Sequence, residues 1–125
     1  MEMIHTEKAP AALGPYSQAV KANGFVFTSG QIAIDPATNT IVEGDVQVQT
    51  KQIMENLKAV LEASGTDFNH VVKSTCFLAD MGDFAAFNAV YGSYFTDTKP
   101  ARSCVAVKTL PKNVLAEVEL IAVEK

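Results

Sequence analysis

Val114-Leu115-Ala116-Glu117-Val118-Glu119-Leu120-Ile121-Ala122-Val123 alternates with the two-residue period of a β-strand. Its even positions, Val114, Ala116, Val118, Leu120 and Ala122, are all apolar. Its odd positions run Leu115, Glu117, Glu119, Ile121 and Val123, apolar at both ends and acidic in the middle. The even face demands a core. The odd face is too apolar for a surface left to water, and too charged in its centre for a dry interior.

Working outward, Val71 to Ala79 predicts a second buried strand, with Val72, Cys76 and Leu78 as a core face interrupted by Ser74. Ser103 to Lys108 predicts a short strand behind Pro100. Asn23-Gly24, between Ala19–Ala22 and Phe25–Thr28, predicts a hairpin with a two-residue turn at positive φ. Met3 to Thr6 offers an edge strand, and Ile34 to Gly44 reads as a loop. Asp45 predicts a helix N-cap. Val46, Ile53, Leu57, Val60 and Leu61 follow at helical spacing, and Gly65 ends the run. Asp83 predicts a second cap, before a stripe of Phe84, Phe87, Tyr91, Tyr94 and Phe95 that reads as core packing. The order ββ-α-β-α-ββ predicts one α+β domain over residues 1–125, with two helices on one face of a mixed sheet. The other face would expose Val71, Phe77, Ile121 and Val123. A contiguous patch of that kind predicts association with further copies, and ligand clefts between them.

With 48% hydrophobic residues the chain is not a disordered one. A net charge of −4 without a basic stripe counts against nucleic acid as a partner. No apolar run reaches the roughly 18 residues of a membrane span. The start, Met1-Glu2-Met3-Ile4-His5, lacks the basic and apolar parts of a signal peptide, so a cytoplasmic protein with no membrane partner is expected. There Cys76 and Cys104 should be free thiols. Two cysteines and two distant histidines give no metal-ligand spacing, so neither a metal nor another cofactor is expected.

Arg102 is the only arginine; the other basic residues are lysines. A planar guanidinium fork matches a carboxylate or phosphate with two parallel hydrogen bonds, which an ammonium cannot do. The competing reading is a structural ion pair or a solvated strand end. Glu117 and Glu119 share one strand face about 7 Å apart. Burial there would tune a carboxyl toward acid–base work, whereas an edge strand would leave one glutamate in water. Antiparallel pairing of the 103–108 strand with the last strand would bring Arg102 or Cys104 to Glu117 or Glu119. Gly30 allows close approach of a ligand to the backbone, or simply ends a strand. Tyr16 is a pocket wall or a half-buried tyrosine. Cys104 lacks a base to make it a nucleophile, and Ser29 has no triad partner.

Gly14-Pro15-Tyr16-Ser17-Gln18, Thr28-Ser29-Gly30-Gln31, Asn56-Leu57, Val72-Lys73-Ser74-Thr75, Phe87-Asn88 with Tyr91, Pro100-Ala101-Arg102-Ser103-Cys104 and Glu117-Val118-Glu119 with Ile121-Ala122 occur in that order. As a set they resemble the YjgF/RidA family, the reactive intermediate deaminases. The resemblance implies a single RidA-like domain with a chorismate-mutase-like α+β fold. It also implies a homotrimer with a central barrel-like core and clefts at subunit interfaces. The implied activity is cofactor-independent hydrolysis of 2-imino acids, tautomers of 2-aminoacrylate and 2-aminocrotonate, to 2-oxo acids and ammonia. Residue by residue it implies that Arg102 clamps the substrate carboxylate and Glu117 orients water and handles protons. Tyr16, Ser29, Gly30, Asn88 and Cys104 would contact the ligand, Cys104 through its backbone. Glu119 would be structural. A sensor that binds 2-oxo acids without turnover, an RNA-directed role and a holdase-like chaperone are the alternatives.

Overall fold

The structure is a computed structural model that describes residues 1–125. Its main sheet has six strands: β1 (Glu2–Ile4), β2 (Ala19–Ala22), β3 (Phe25–Thr28), β6 (Val71–Leu78), β7 (Ala101–Ala106) and β8 (Ala116–Val123). Their spatial order is β1-β2-β3-β8-β6-β7. A separate two-stranded ribbon, β4 (Ile34–Asp35) with β5 (Thr40–Ile41), occupies the stretch expected to be a loop. The two helices are α1 (Val46–Ala63) and α2 (Phe84–Gly92).

Local chemistry accounts for the element ends. Asn23 and Gly24 take φ values of 53° and 80°, the turn that right-twisted strands favour, and β2 and β3 pair across it. The Asp45 side chain accepts from Val48 N–H at 3.0 Å and caps α1. Ile53, Met54, Leu57, Val60 and Leu61 are buried along one face of that helix. Burying each such side chain is worth about 1.5–3 kcal/mol, so this face is what fastens α1 to the sheet. Asp83 stands at the start of α2 but makes no side-chain cap bond; Asp80, one turn earlier, accepts from Gly82 N–H instead. The aromatic stripe outlasts its helix. Tyr94 and Phe95 lie beyond Gly92, yet Phe95 still packs on Tyr91 with ring centroids 4.8 Å apart.

The topology decides which face is covered. β3, α1 and β6 form one crossover, which skips over β8, and β6, α2 and β7 form the next in the same direction. Crossovers between parallel strands are nearly always right-handed, so two of them running one way place both helices on one side. The opposite side is bare. Phe27 and Val105 are 43% and 48% exposed there, with Phe77, Ile121 and Val123 half-buried. β8 behaves as its alternation predicts: Ala116, Val118, Leu120 and Ala122 are buried under the helices.

Two expectations need correction. Val72 is exposed and Val71 buried, because the β6–β8 register shifts between Val71 and Lys73 and rotates the strand start by one residue. The 103–108 strand begins at Ala101 and pairs parallel with β6 at the sheet edge. It does not pair with β8, and Arg102 lies inside the strand rather than before it.

Candidate active site

In that parallel ladder Arg102 is in register with Ser74, which faces the helices. The guanidinium therefore points toward α2. It lies 4.8 Å from the Tyr91 ring centroid and 5.4 Å from that of Phe84, and it donates to Asn88 Oδ1 at 2.7 Å. Tyr91 is itself fixed by a 2.6 Å bond between its hydroxyl and the buried Ser74 hydroxyl. No carboxylate pairs with Arg102: the ion pairs of the chain are Lys21–Glu124, Asp67–His70 and Asp67–Lys125. The arginine is neither a structural ion pair nor a solvated strand end. It is a cation held on aromatic faces with donors to spare. A cleft of about 270 Å³ opens beside it, lined by Asn88, Tyr91, Phe95, Lys99 and Pro100.

Glu117 is elsewhere. It is in register with Phe77, on the bare face, with β6 between its strand and that of Arg102. It lines a cleft of about 230 Å³ together with Tyr16, Gly30, Gln31, Ile32 and Leu13. The cause is a break in the β3–β8 ladder. Phe27 pairs with Ile121 and Gln31 with Val118, so three residues on one side face two on the other. The bulge re-aims the chain. Thr28 Oγ1 takes the Leu120 N–H at 2.9 Å, and Gly30 is pressed against the acid. A Cβ on Gly30 would stand 2.5 Å from Glu117 Oε2. Burial first, and then the negative Glu119 on the same face, push the Glu117 carboxyl above the usual range of a glutamate.

The remaining candidates divide unevenly. Tyr16 and Gly30 join Glu117 in its cleft. Ser29 spends its hydroxyl on Ser17 O at 2.6 Å, which fastens the Tyr16 segment to the bulge. Asn88 belongs to the Arg102 half. Cys104 follows Arg102 on the same face, opposite Cys76. Burial pushes the Cys76 thiol up to about 12 and raises Cys104 too, despite the nearby guanidinium, so neither is a ready thiolate. No three His, Cys, Asp or Glu side chains converge on a point where a metal ion could sit.

Several contributors fall within the motifs of the family resemblance, or beside them, without a site role assigned there. Gln18 is buried, accepts from Thr6 N–H at 2.7 Å and donates to Pro10 O at 2.7 Å, which shapes the loop carrying Leu13 and Tyr16. Buried Asn56 donates to Ile34 O at 2.9 Å and Ile32 O at 3.3 Å, behind the Glu117 cleft. Phe84, Tyr91 and Ser74 read as core yet form the Arg102 cradle. Its polarity on an apolar strand face and its place in Val72-Lys73-Ser74-Thr75 are the signals for Ser74.

One chain thus presents two small clefts, one beside Arg102 and one beside Glu117, each below the roughly 300–1,000 Å³ of ordinary ligand clefts. In sequence and overall fold the chain is similar to known proteins. A family model described as Endoribonuclease L-PSP matches residues 6–124. A RutC family protein of Synechocystis is 58% identical, over 98% of this chain and 96% of that one. A 2-iminobutanoate/2-iminopropanoate deaminase of Salmonella typhimurium is 50% identical, over 98% of this chain and 97% of that one. The crystal structure of E. coli TdcF with bound serine superposes with a TM-score of 0.95 at 44% identity, covering 100% of both chains. No helix is long and apolar enough to cross a membrane. With a family model matching residues 6–124 and relatives 50–58% identical over 98% of its length, the chain belongs to the L-PSP endoribonuclease family, also called YjgF/RidA.

Proposed function

We propose that this protein hydrolyses reactive 2-imino acids to 2-oxo acids and ammonia, without a cofactor, in clefts completed by neighbouring copies of a homotrimer. The observation that carries the reading is the Arg102 fork, held in place with no carboxylate of its own. It fits the carboxylate of an imino acid and orients the C=N carbon. Glu117, with its raised proton affinity, takes a proton from the attacking water as the oxygen adds to that carbon. The imine nitrogen takes a proton from the medium to give a carbinolamine. Glu117 passes the proton it took from water to the amine, and the C–N bond breaks as the hydroxyl proton goes to solvent, leaving the 2-oxo acid and ammonia. An imine is already electrophilic, so no covalent nucleophile is needed. The gain comes from positioning and proton transfer. Tyr16 and Gly30 shape the acid side of the cleft.

Arg102 and Glu117 lie on opposite sheet faces of one chain, and the bare face is apolar enough to take a second copy. Both facts favour a shared cleft. The deaminase relative supports the chemistry, and the serine bound to TdcF supports an amino-acid-sized ligand. That bound serine favours equally a sensor without turnover. The family's endoribonuclease name suggests RNA, but a chain of net charge −4 lacks the basic footprint.

The test couples a threonine dehydratase, which generates the imine, to this protein and follows loss of the imine. Wild type should accelerate it. Arg102→Ala should abolish the acceleration with the fold intact, and Arg102→Lys should lose most of it, because the fork geometry goes. Full rate in Arg102→Ala refutes the mechanism. Binding of 2-oxobutanoate without acceleration by wild type establishes the sensor instead.

A further inference from the structure

Resting on the reading that Arg102 grips a carboxylate, we propose that Asn88 is a specificity-determining positioning residue: its neutral amide oxygen aims the Arg102 fork while leaving the charge of the fork uncompensated, so that an anionic ligand completes the pair.

Acidic side chains outnumber basic ones in this chain, fourteen to ten, yet the single arginine has none as a partner. The groups in contact with the guanidinium are uncharged. Asn88 Oδ1 takes its bond at 2.7 Å, and the faces of Tyr91 and Phe84 lie alongside. The groups nearby that could become anions are held neutral. Burial raises the Tyr91 phenol, the Cys76 thiol and the Cys104 thiol, and the Tyr91 hydroxyl is tied to Ser74. The only other charged group lining this cleft is the ammonium of Lys99, a second cation.

Position 88 is where that neutrality is decided. Aspartate has almost the same shape as asparagine. In its place a carboxylate would meet the guanidinium in a short charge-assisted bond and satisfy it from within. The asparagine supplies the same aim without consuming the charge. Geometry and charge availability are thus separable by substitutions at one position.

The experiment uses the full-length protein in its native assembly, with 2-oxobutanoate as the carboxylate probe in isothermal titration. Thermal unfolding and steady-state kinetics run alongside. Affinity should fall in the order wild type, Asn88→Ala, Asn88→Asp, the last by about tenfold or more. Asn88→Asp should raise KM more than it lowers kcat, and should unfold at a temperature no lower than Asn88→Ala, because the introduced carboxylate would pair with Arg102. Affinity in Asn88→Asp equal to or better than in Asn88→Ala overturns the proposal, as does a lower unfolding temperature than that of Asn88→Ala. Arg102→Ala separates the two levels. If it keeps wild-type affinity, the carboxylate-gripping reading falls. If it loses affinity while the two Asn88 variants bind alike, only the role given to Asn88 falls.

Discussion

The Arg102 half and the Glu117 half of the proposed site are built by opposite means. Around Arg102 the backbone is regular: a parallel ladder, a helix, and side chains that converge from both. Aromatic faces and one amide fix the guanidinium, and a buried hydroxyl pair fixes the aromatic ring. Around Glu117 an irregular backbone sets the geometry, and side chains such as Thr28, Ser29 and Gln18 serve to hold that backbone. A bulge interrupts the ladder, Gly30 makes room, and the acid occupies the space that a Cβ would fill. A cation that must hold its ligand benefits from a rigid, neutral setting. A carboxyl that must exchange protons benefits from partial burial with one open side. On the proposed mechanism the Arg102 half would bind and the Glu117 half would move protons.

The largest expected break of that assignment is Glu117→Gln. It should lower kcat by about 10²–10⁴-fold while 2-oxobutanoate binds nearly as in wild type. A parallel loss of affinity would merge the two halves. The same variant should gain stability at pH 7. Because burial raises the folded-state pKa of Glu117, its contribution to stability is full below the ordinary carboxyl value and is lost as pH rises through the folded value. At pH 7 the charged form is a cost that glutamine lacks. The urea midpoint of the variant should exceed that of wild type at pH 7, and the difference should close as pH falls below 4.5. Next in size is Gly30→Ala, whose new Cβ displaces the carboxylate and should cost about 100-fold in kcat/KM with the circular dichroism spectrum unchanged. Activity within about twofold of wild type would mean that the close approach is incidental. The smallest effect sharpens the acid half alone. Glu119→Gln removes a negative neighbour, so the acidic limb of the kcat/KM profile should move to lower pH, with no change in probe affinity.

Much of this was legible along the chain because its causes are local. The Asn23-Gly24 turn, the Asp45 cap and the alternation of β8 each depend on residues within one element. Even the bare apolar face could be inferred, since a strand shows both faces in its spacing. What failed depends on distant partners. β7 lies at the edge because crossover handedness carries the chain past β6, and nothing in Ala101–Ala106 records that. The exchange of Val71 for Val72 comes from a register shift that adds no characteristic residue. Ser74 looked like a flaw in a core strand because its partner, Tyr91, stands seventeen positions later. Arg102 and Glu117 could be chosen by residue type, but their placement on opposite faces could not.

Glu117 stands on the side of the sheet that neither helix covers. If a second copy docks there as proposed, lost hydration strengthens the hold of the carboxyl on hydrogen ions, and a guanidinium brought alongside weakens it. The larger of the two effects sets how assembly answers to acid: uptake of hydrogen ions on docking would make acid tighten it, release would make acid loosen it.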